Sequence, residues 1–227
     1  MAQHVATAGE HAETTTGIDN RKLLMWLFLA SECLFFGGLI GTFLLYRDAT
    51  FTACETALSA LAATAPAPAE CVFPVDTIVA GREFEGLFDI PFTSVSAFVL
   101  LMSSVSMVLA LSAIQRNDKR GLRIWLMCTA LLGMTFLAGQ AFEFTEFVQE
   151  GLSLDTNLFG TTFFVLTGFH GAHVSIGVLI LLSLFVMAWR GRIDHTKSLN
   201  VELAGLYWHF VDVVWIVIFT LIYLVQT

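Results

Sequence analysis

Five long apolar stretches dominate this sequence, at residues 23–46, 92–114, 124–147, 159–189 and 201–225. An α-helix needs about 20 mostly apolar residues to cross a bilayer, whereas a transmembrane β-strand needs only about ten. Each stretch therefore has the length of a membrane-spanning helix. We expect an all-α fold, namely a polytopic membrane helix bundle with five transmembrane helices.

The composition supports a membrane protein and argues against two other classes. Of the 227 residues, 56% are hydrophobic and 13% are charged, whereas a soluble domain usually has about 25% charged residues. So few charged side chains could not cover a water-facing surface. The formal net charge is −8 and no basic stripe occurs, which argues against nucleic-acid binding, because such binding depends on Lys and Arg contacts to phosphate.

The basic residues predict how the chain lies in the membrane. Nine of the eleven Lys and Arg residues flank the spans on one side, and only Arg47 and Arg82 fall on the other. The positive-inside rule then predicts a multi-pass protein of the bacterial cytoplasmic (inner) membrane with a cytoplasmic N-terminus and an external C-terminus. We expect a cytoplasmic polar tail over residues 1–21 and a membrane domain over 22–227, with an external loop over 47–91.

The external loop contains two of the four cysteines. Its middle, residues 57–70, reads ALSALAATAPAPAE, a low-complexity segment with little to pack and no sign of a site. Cys54 and Cys71 bracket this segment and would face an oxidising compartment, where disulfides persist. Two alternatives remain open, a Cys54–Cys71 disulfide and a pair of free thiols.

Ionisable side chains within the spans carry most of the functional information. One such side chain at the centre of a bilayer costs about 2.5–3.5 kcal/mol on insertion scales. Glu32 is the tenth residue of the first span, which places it about 15 Å deep at about 1.5 Å per residue, near the midplane. Three other spans carry polar pairs at i,i+3 spacing, which brings both members to one helix face. The candidate residues are Glu32, Glu143, Glu146, His170, His173, His209 and Asp212.

Three interpretations of these residues remain open. Carboxylate and imidazole groups at i,i+3 spacing bind two metal ions in some helical bundles, although no pair here forms a Glu-x-x-His motif. Buried carboxylates and histidines also form proton or ion paths in pumps. The third interpretation is structural, since polar contacts join membrane helices at about 0.6 kcal/mol each on average. We expect the midplane groups Glu32, His209 and Asp212 to connect the first and fifth helices.

Small and aromatic residues predict where the helices pack. A small-xxx-small spacing lets helix backbones approach closely. Such steps occur at Gly37/Gly41, Gly168/Ala172 and Gly171/Ser175. The run Tyr207–Trp215 mixes aromatic rings with two ionisable groups and is poorly suited to face lipid. We therefore expect the fifth helix to be buried between protein neighbours.

Four segments resemble subunit III of the haem-copper respiratory oxidases. They are Ser31–Phe36 (SECLFF), Gly139–Glu146 (GQAFEFTE), Gly160–Val174 (GTTFFVLTGFHGAHV) and Tyr207–Trp215 (YWHFVDVVW). The last two are long and specific, and the resemblance runs from about residue 22 to the C-terminus apart from the external loop. The five spans are similar to the short five-helix bacterial form, which lacks the first two helices of the seven-helix members.

The resemblance implies a non-catalytic membrane subunit of a terminal oxidase in aerobic electron transport. Its implied partners are the catalytic oxidase subunit I, other oxidase subunits, membrane lipids and a larger respiratory supercomplex. Haem and copper would lie in partner subunits, with no catalytic or metal-binding residue in this chain, and bound phospholipid is expected. Its implied role is to support sustained proton-coupled oxygen reduction. Glu32 falls on the family's buried carboxylate that reacts with hydrophobic carbodiimide.

Two alternatives to this interpretation remain. The accessory protein of nitric oxide reductase shares these motifs within the same family. A membrane di-metal enzyme, built on the same polar pairs, would belong to a different class.

Overall fold

The computed structural model describes residues 19–61, 66–68, 71–73, 77–79, 82–84, 86–193 and 198–225. In these ranges the helices are α1 (Asn20–Ala60), α2 (Ile90–Gln115), α3 (Lys119–Gln149), α4 (Leu158–Trp189) and α5 (Ser198–Phe219). A π-helical turn, Thr220–Leu224, continues α5, and two short strands, β1 (Thr77–Val79) and β2 (Arg82–Phe84), lie between α1 and α2. The five helices are long and apolar enough to cross a membrane, so the predicted helical membrane bundle is confirmed.

Polar side chains cap the first turns of four helices. Asp19, Asp89, Asp118 and Asn157 each accept a hydrogen bond from a backbone N–H in the first turn. Asp and Asn are favoured at this position because their side-chain oxygens pair with N–H groups that have no partner within the helix. The helices therefore begin a few residues before the apolar stretches that the sequence marks.

The helices pack both on their neighbours along the chain and on more distant helices. α2 lies against α3, α3 against α4, and α4 against α1, while α5 packs against α1, α2 and α4. α5 is therefore central, and its buried rings Trp208 and Trp215 belong to the main hydrophobic core. The expectation that the fifth helix is buried between protein neighbours is confirmed, and the neighbours are helices of the same chain.

Trp208 fills a space that two glycines leave open. A Cβ atom at Gly133 of α3 would lie 2.6 Å from the Trp208 ring, and one at Gly177 of α4 would lie 2.8 Å from it. A larger residue at either position would overlap the indole, which packs between α3 and α4. These two glycines, which do not belong to the predicted small-residue steps, let the Trp208 ring of α5 pack closely against α3 and α4.

The predicted small-residue steps are mostly wrong as packing sites within this chain. No neighbouring atom lies within 4 Å of a Cβ built at Gly37, Gly41 or Gly168. Only the step at Gly171 meets a close neighbour, the side-chain oxygen of Gln140 at 2.7 Å from the built Cβ. Residue spacing identifies a smooth helix face, but it does not say whether another helix covers that face.

The external loop predicted over residues 47–91 is more ordered than expected. α1 continues to Ala60, and 41 residues at about 1.5 Å each give about 62 Å, roughly twice the hydrocarbon thickness. Beyond the span, a disulfide joins Cys54 and Cys71. Leu58 and Phe73 form a small second core with the half-cystine Cys54. A hydropathy window marks only the part of a helix inside the bilayer, so it misses this extension.

An antiparallel hairpin also lies between α1 and α2. β1 pairs with β2 in a register that places Ile78 opposite Glu83. Phe84 contacts Phe73 at a ring-centroid distance of 5.0 Å, so the hairpin rests on the second core. Residues 62–65 and 69–70 of the low-complexity segment, and residues 1–18 of the predicted cytoplasmic tail, lie outside the described residues.

Candidate functional site

Glu32 of α1 contacts His173 of α4 inside the membrane region. The Oε2 atom of Glu32 lies 3.3 Å from Nε2 of His173, and both side chains are largely buried. Phe36 packs edge-on against the imidazole at a centroid distance of 5.1 Å. The Tyr207 hydroxyl of α5 donates a hydrogen bond of 3.0 Å to the His173 carbonyl oxygen. The Glu32–His173 contact therefore joins α1 to α4, and the Tyr207 hydrogen bond joins α5 to α4 beside it.

The second nitrogen of His173 defines how protons are arranged in this pair. Nδ1 lies 2.8 Å from the carbonyl oxygen of Phe169, and a carbonyl can only accept, so Nδ1 carries a proton. Nε2 and the Glu32 carboxyl oxygen, 3.3 Å apart, attract each other when the pair holds one further proton, either on the imidazole or on the carboxyl group. The pair as a whole is neutral in both cases, which suits its position in an apolar membrane.

A groove of about 400 Å³ runs beside this pair, between α1, α4 and α5. Its walls are mostly apolar, with side chains such as Met25, Ile180 and Leu203. His173 and Tyr207 also line it. A salt bridge between Lys22 of α1 and Glu202 of α5, at 2.5 Å, is a second polar contact between helices that form the groove. The groove is therefore largely apolar, with a few polar groups in its wall.

Asp212 and His209 of α5 meet α2 rather than α1. The Ser104 hydroxyl donates to Oδ2 of Asp212 at 2.7 Å. Nδ1 of His209 lies 3.2 Å from the same hydroxyl oxygen, which accepts from it. The expectation that Glu32, His209 and Asp212 connect the first and fifth helices is therefore wrong. Helix packing decides which faces meet, and it brings α5 against α2 at this level.

Glu143 and Glu146 of α3 lie in different surroundings. Glu143 is 4% exposed and accepts a hydrogen bond from the Thr93 hydroxyl of α2. Tyr223, in the π-helical turn, is hydrogen-bonded to the same threonine. Glu146 is exposed on the surface of this chain. An i,i+3 step rotates a side chain by about 60° around the helix, which is enough to bring Glu146 out of the α2–α3 contact.

The two histidines of α4 also have separate roles. His173 pairs with Glu32, whereas His170 is fully buried and stacks on Trp215 of α5 at a centroid distance of 4.9 Å. Gln140 of α3 donates a 2.9 Å hydrogen bond to the Thr167 carbonyl oxygen, one turn away along α4. The predicted polar residues thus make several pairwise contacts rather than one common site.

Several polar residues in these contacts escaped the sequence analysis. They are uncharged side chains within apolar stretches, namely Thr93, Ser103, Ser104, Ser106, Thr129 and Gln140. Ser103 accepts from the Trp208 indole at 2.9 Å, and Ser106 is hydrogen-bonded to Thr129 at 2.8 Å. Hydroxyl side chains cost little to insert into a membrane and are common there, so their presence in a span does not by itself predict a hydrogen bond between helices.

The described residues do not form the metal-ligand cluster that the di-metal hypothesis needs. Within those ranges, no group of three or more His, Cys, Asp and Glu side chains is close enough to hold one ion. Glu143 contacts a threonine, His173 a glutamate and Asp212 a serine. The arrangement can join helices and hold single protons between paired groups.

Comparisons with known proteins agree on one family. The profile described as cytochrome c oxidase subunit III matches residues 1–227. The chain is 38% identical to cytochrome c oxidase subunit 3 of Synechocystis sp. over 211 residues, covering 91% of this chain and 76% of that protein. It is 32% identical to the subunit 3 of Bacillus sp. strain PS3 over 223 residues, covering 98% and 94%.

A quinol oxidase also appears among the relatives. The chain is 32% identical to quinol oxidase subunit 3 of Bacillus subtilis over 199 residues, covering 88% of this chain and 84% of that protein. The match over the whole chain supports the oxidase interpretation over the nitric oxide reductase and di-metal alternatives. The five-helix bundle and these similarities show that the chain belongs to the cytochrome c oxidase subunit III family of the haem-copper terminal oxidases.

Proposed function

We propose that this chain packs on catalytic subunit I of its oxidase and supports sustained proton-coupled oxygen reduction without taking part in the chemistry. The observation that carries the proposal is the pairing of its buried polar groups across helix interfaces. Glu143 contacts Thr93, Asp212 contacts Ser104, and Gln140 contacts a carbonyl of α4. Contacts of this kind hold helices in register, as a supporting subunit requires. In the proposal, haem and copper belong to the partner subunits.

Removing this subunit from the purified oxidase tests the proposal. The haem absorption spectrum should stay nearly unchanged, because the cofactors would lie elsewhere. Initial oxygen consumption should fall modestly, and activity should decay faster during turnover than in the intact complex. Adding the purified subunit back should restore the slower decay. Loss of the haem signal on depletion, or metal bound stoichiometrically to the isolated chain, would contradict it.

The proposal includes a bound phospholipid in the groove between α1, α4 and α5. An acyl chain fits a long apolar groove, and the nearby Glu32–His173 pair and Tyr207 could contact its polar part. Ile180→Trp would fill the groove, whereas Leu179→Trp adds the same ring at an exposed neighbouring position. Mass spectrometry of copurified lipid should show about one equivalent less phospholipid for Ile180→Trp only. Equal lipid content in both variants would contradict this part.

The proposal also includes the membrane and the wider assembly. The basic residues favour the bacterial cytoplasmic membrane with the N-terminus inside. A larger respiratory supercomplex is a further proposed partner. Copurification in a mild detergent with haem-bearing subunits, and with an additional respiratory complex, would support both levels of assembly.

A further inference from the structure

A cluster of three rings in the core contains polar atoms that the helix contacts leave unexplained. His170 of α4 stacks on Trp215 of α5, with centroids 4.9 Å apart and planes inclined by 25°. Phe136 of α3 packs edge-on against both rings, at 5.9 Å from His170 and 4.8 Å from Trp215. His170 is 0% exposed and Trp215 is 2% exposed. The cluster is therefore closed off from the surroundings of the chain.

Three polar atoms of this cluster lack a hydrogen-bond partner among the described residues. They are Nδ1 and Nε2 of His170 and Nε1 of Trp215. A neutral imidazole has one donor and one acceptor nitrogen, and an indole has one donor. Buried donors and acceptors are rarely left unpaired, and an orphaned group in a structure usually marks a water or ion that satisfies it. Together, neutral His170 and Trp215 offer two hydrogen-bond donors and one acceptor. Water can pair with both kinds of group, so it suits these atoms better than an ion.

We propose that His170 and Trp215 hold buried water inside the bundle. A water molecule offers two donors and two acceptors, so one molecule can accept from the Trp215 N–H and also pair with one nitrogen of His170. The other nitrogen lies on a different edge of the imidazole ring, so it requires a second water. The Gln140 side-chain oxygen lies close against Gly171, the residue that follows His170 on α4.

The hydrated cluster lies between two polar contacts already described. Thr167, whose carbonyl oxygen accepts from Gln140, precedes His170 by one turn of α4. Asp212, which accepts from Ser104, precedes Trp215 by one turn of α5. Consecutive membrane helices run in opposite directions, so these two contacts lie on opposite sides of the cluster. Water here would extend a series of polar groups through the core.

A high-resolution density map of the intact oxidase tests the proposal directly. We expect a peak at about 2.7–3.2 Å from Nε1 of Trp215 and from a ring nitrogen of His170. A map that resolves waters at other buried polar groups but shows no peak here would overturn the proposal. A side chain from a partner subunit that reaches these nitrogens would overturn it as well.

Substitutions provide a second test in the same complex. His170→Phe keeps a ring but removes both nitrogens, so the Trp215 N–H and the water lose a partner, and the thermal unfolding midpoint should fall. The double variant His170→Phe with Trp215→Phe should have a higher unfolding midpoint than His170→Phe alone, because it no longer buries an indole N–H without a partner. Trp189→Phe, at an exposed position, controls for a general tryptophan effect. If the cluster held no water, His170→Phe would raise the unfolding midpoint, which would contradict the proposal. The proposal would also be contradicted if the effects of His170→Phe and Trp215→Phe on the midpoint simply added in the double variant.

Discussion

Glu143 and Asp212 are buried carboxyl groups that each accept a hydrogen bond from a hydroxyl group on α2. Thr93 donates to Glu143 and Ser104 donates to Asp212. In each pair the carboxyl group costs more to bury than the hydroxyl group, because a carboxyl oxygen without a hydrogen-bond donor is poorly tolerated in an apolar interior. A single hydroxyl within an apolar helix thus determines how well a carboxyl group on a neighbouring helix is accommodated.

Thr93→Val should destabilise the bundle because it leaves Glu143 without its hydroxyl donor at nearly constant side-chain volume. Loss of such a donor costs about 1–3 kcal/mol. The measurement is the thermal unfolding midpoint of the purified complex in detergent. Thr145→Val, at an exposed position of α3, is the matched control and should have little effect. Equal midpoints for Thr93→Val and the control would show that the contact contributes nothing.

Helix packing depends on glycine at specific positions rather than on glycine content. Gly133 and Gly177 make room for Trp208 between α3 and α4, whereas Gly37 and Gly168 have no atom of a neighbouring helix close to them. The indole also donates to Ser103 of α2. One side chain of α5 therefore contacts three other helices, and two of those contacts require the absence of a Cβ.

Gly177→Ala should lower stability because its new methyl group would lie 2.8 Å from the Trp208 ring. Overpacking a core of this kind usually costs about 1–3 kcal/mol. Gly168→Ala on the same helix is the control, since the space around its Cβ is open. We expect a lower unfolding midpoint and a lower yield of assembled complex for Gly177→Ala only. Indistinguishable behaviour of the two variants would mean that the indole moves at no cost.

The C-terminal extension of α1 beyond the span is held by a covalent link in addition to its small core. The Cys54–Cys71 disulfide closes a separation of 17 residues. The chain-entropy model gives about 3 kcal/mol for a loop of this size. Since the link lies beyond the membrane-spanning part of α1, its contribution should be confined to the region between α1 and α2.

Cys54→Ser with Cys71→Ser should accelerate proteolysis within residues 62–86 while leaving the unfolding midpoint of the membrane helices nearly unchanged. Limited proteolysis followed by mass spectrometry measures the first effect, and calorimetry of the complex measures the second. Peptide mapping of the unreduced wild-type protein should recover the two cysteines in one linked species. Recovery of both as free thiols would contradict the link.

At the scale of the whole molecule, charge and hydropathy divide the chain between the two sides of a membrane. The N-terminal end of α1, the α2–α3 turn and the α4–α5 connection carry nine of the basic residues. These three regions must lie on one side, because consecutive helices cross in alternate directions. The disulfide and the hairpin then lie on the opposite side.

Thiol labelling should show that the disulfide lies on the outer side of the membrane, as a cytoplasmic N-terminus requires. In a Cys33→Ser and Cys128→Ser background, a membrane-impermeant maleimide should label reduced Cys54 and Cys71 in spheroplasts. Inverted membrane vesicles should remain unlabelled until detergent is added, because the thiols would lie in the lumen. Labelling of inverted vesicles alone would reverse the predicted orientation.

The sequence by itself determined the class of fold, the number of membrane helices and the family. These follow from local properties, since apolar length reports a span and ordered motifs such as Gly160–Val174 report common descent. The same information located Glu32, His170, His173 and Asp212 as polar groups within the spans.

Only the tertiary structure decided which groups meet. Glu32 pairs with His173 of α4 rather than with α5, and Asp212 pairs with a serine of α2. Pairing depends on the rotation of each helix about its axis and on its neighbours, and neither is encoded in spacing along one helix. For the same reason the sequence could not distinguish Gly177, which lies against Trp208, from Gly37, which faces no helix of this chain.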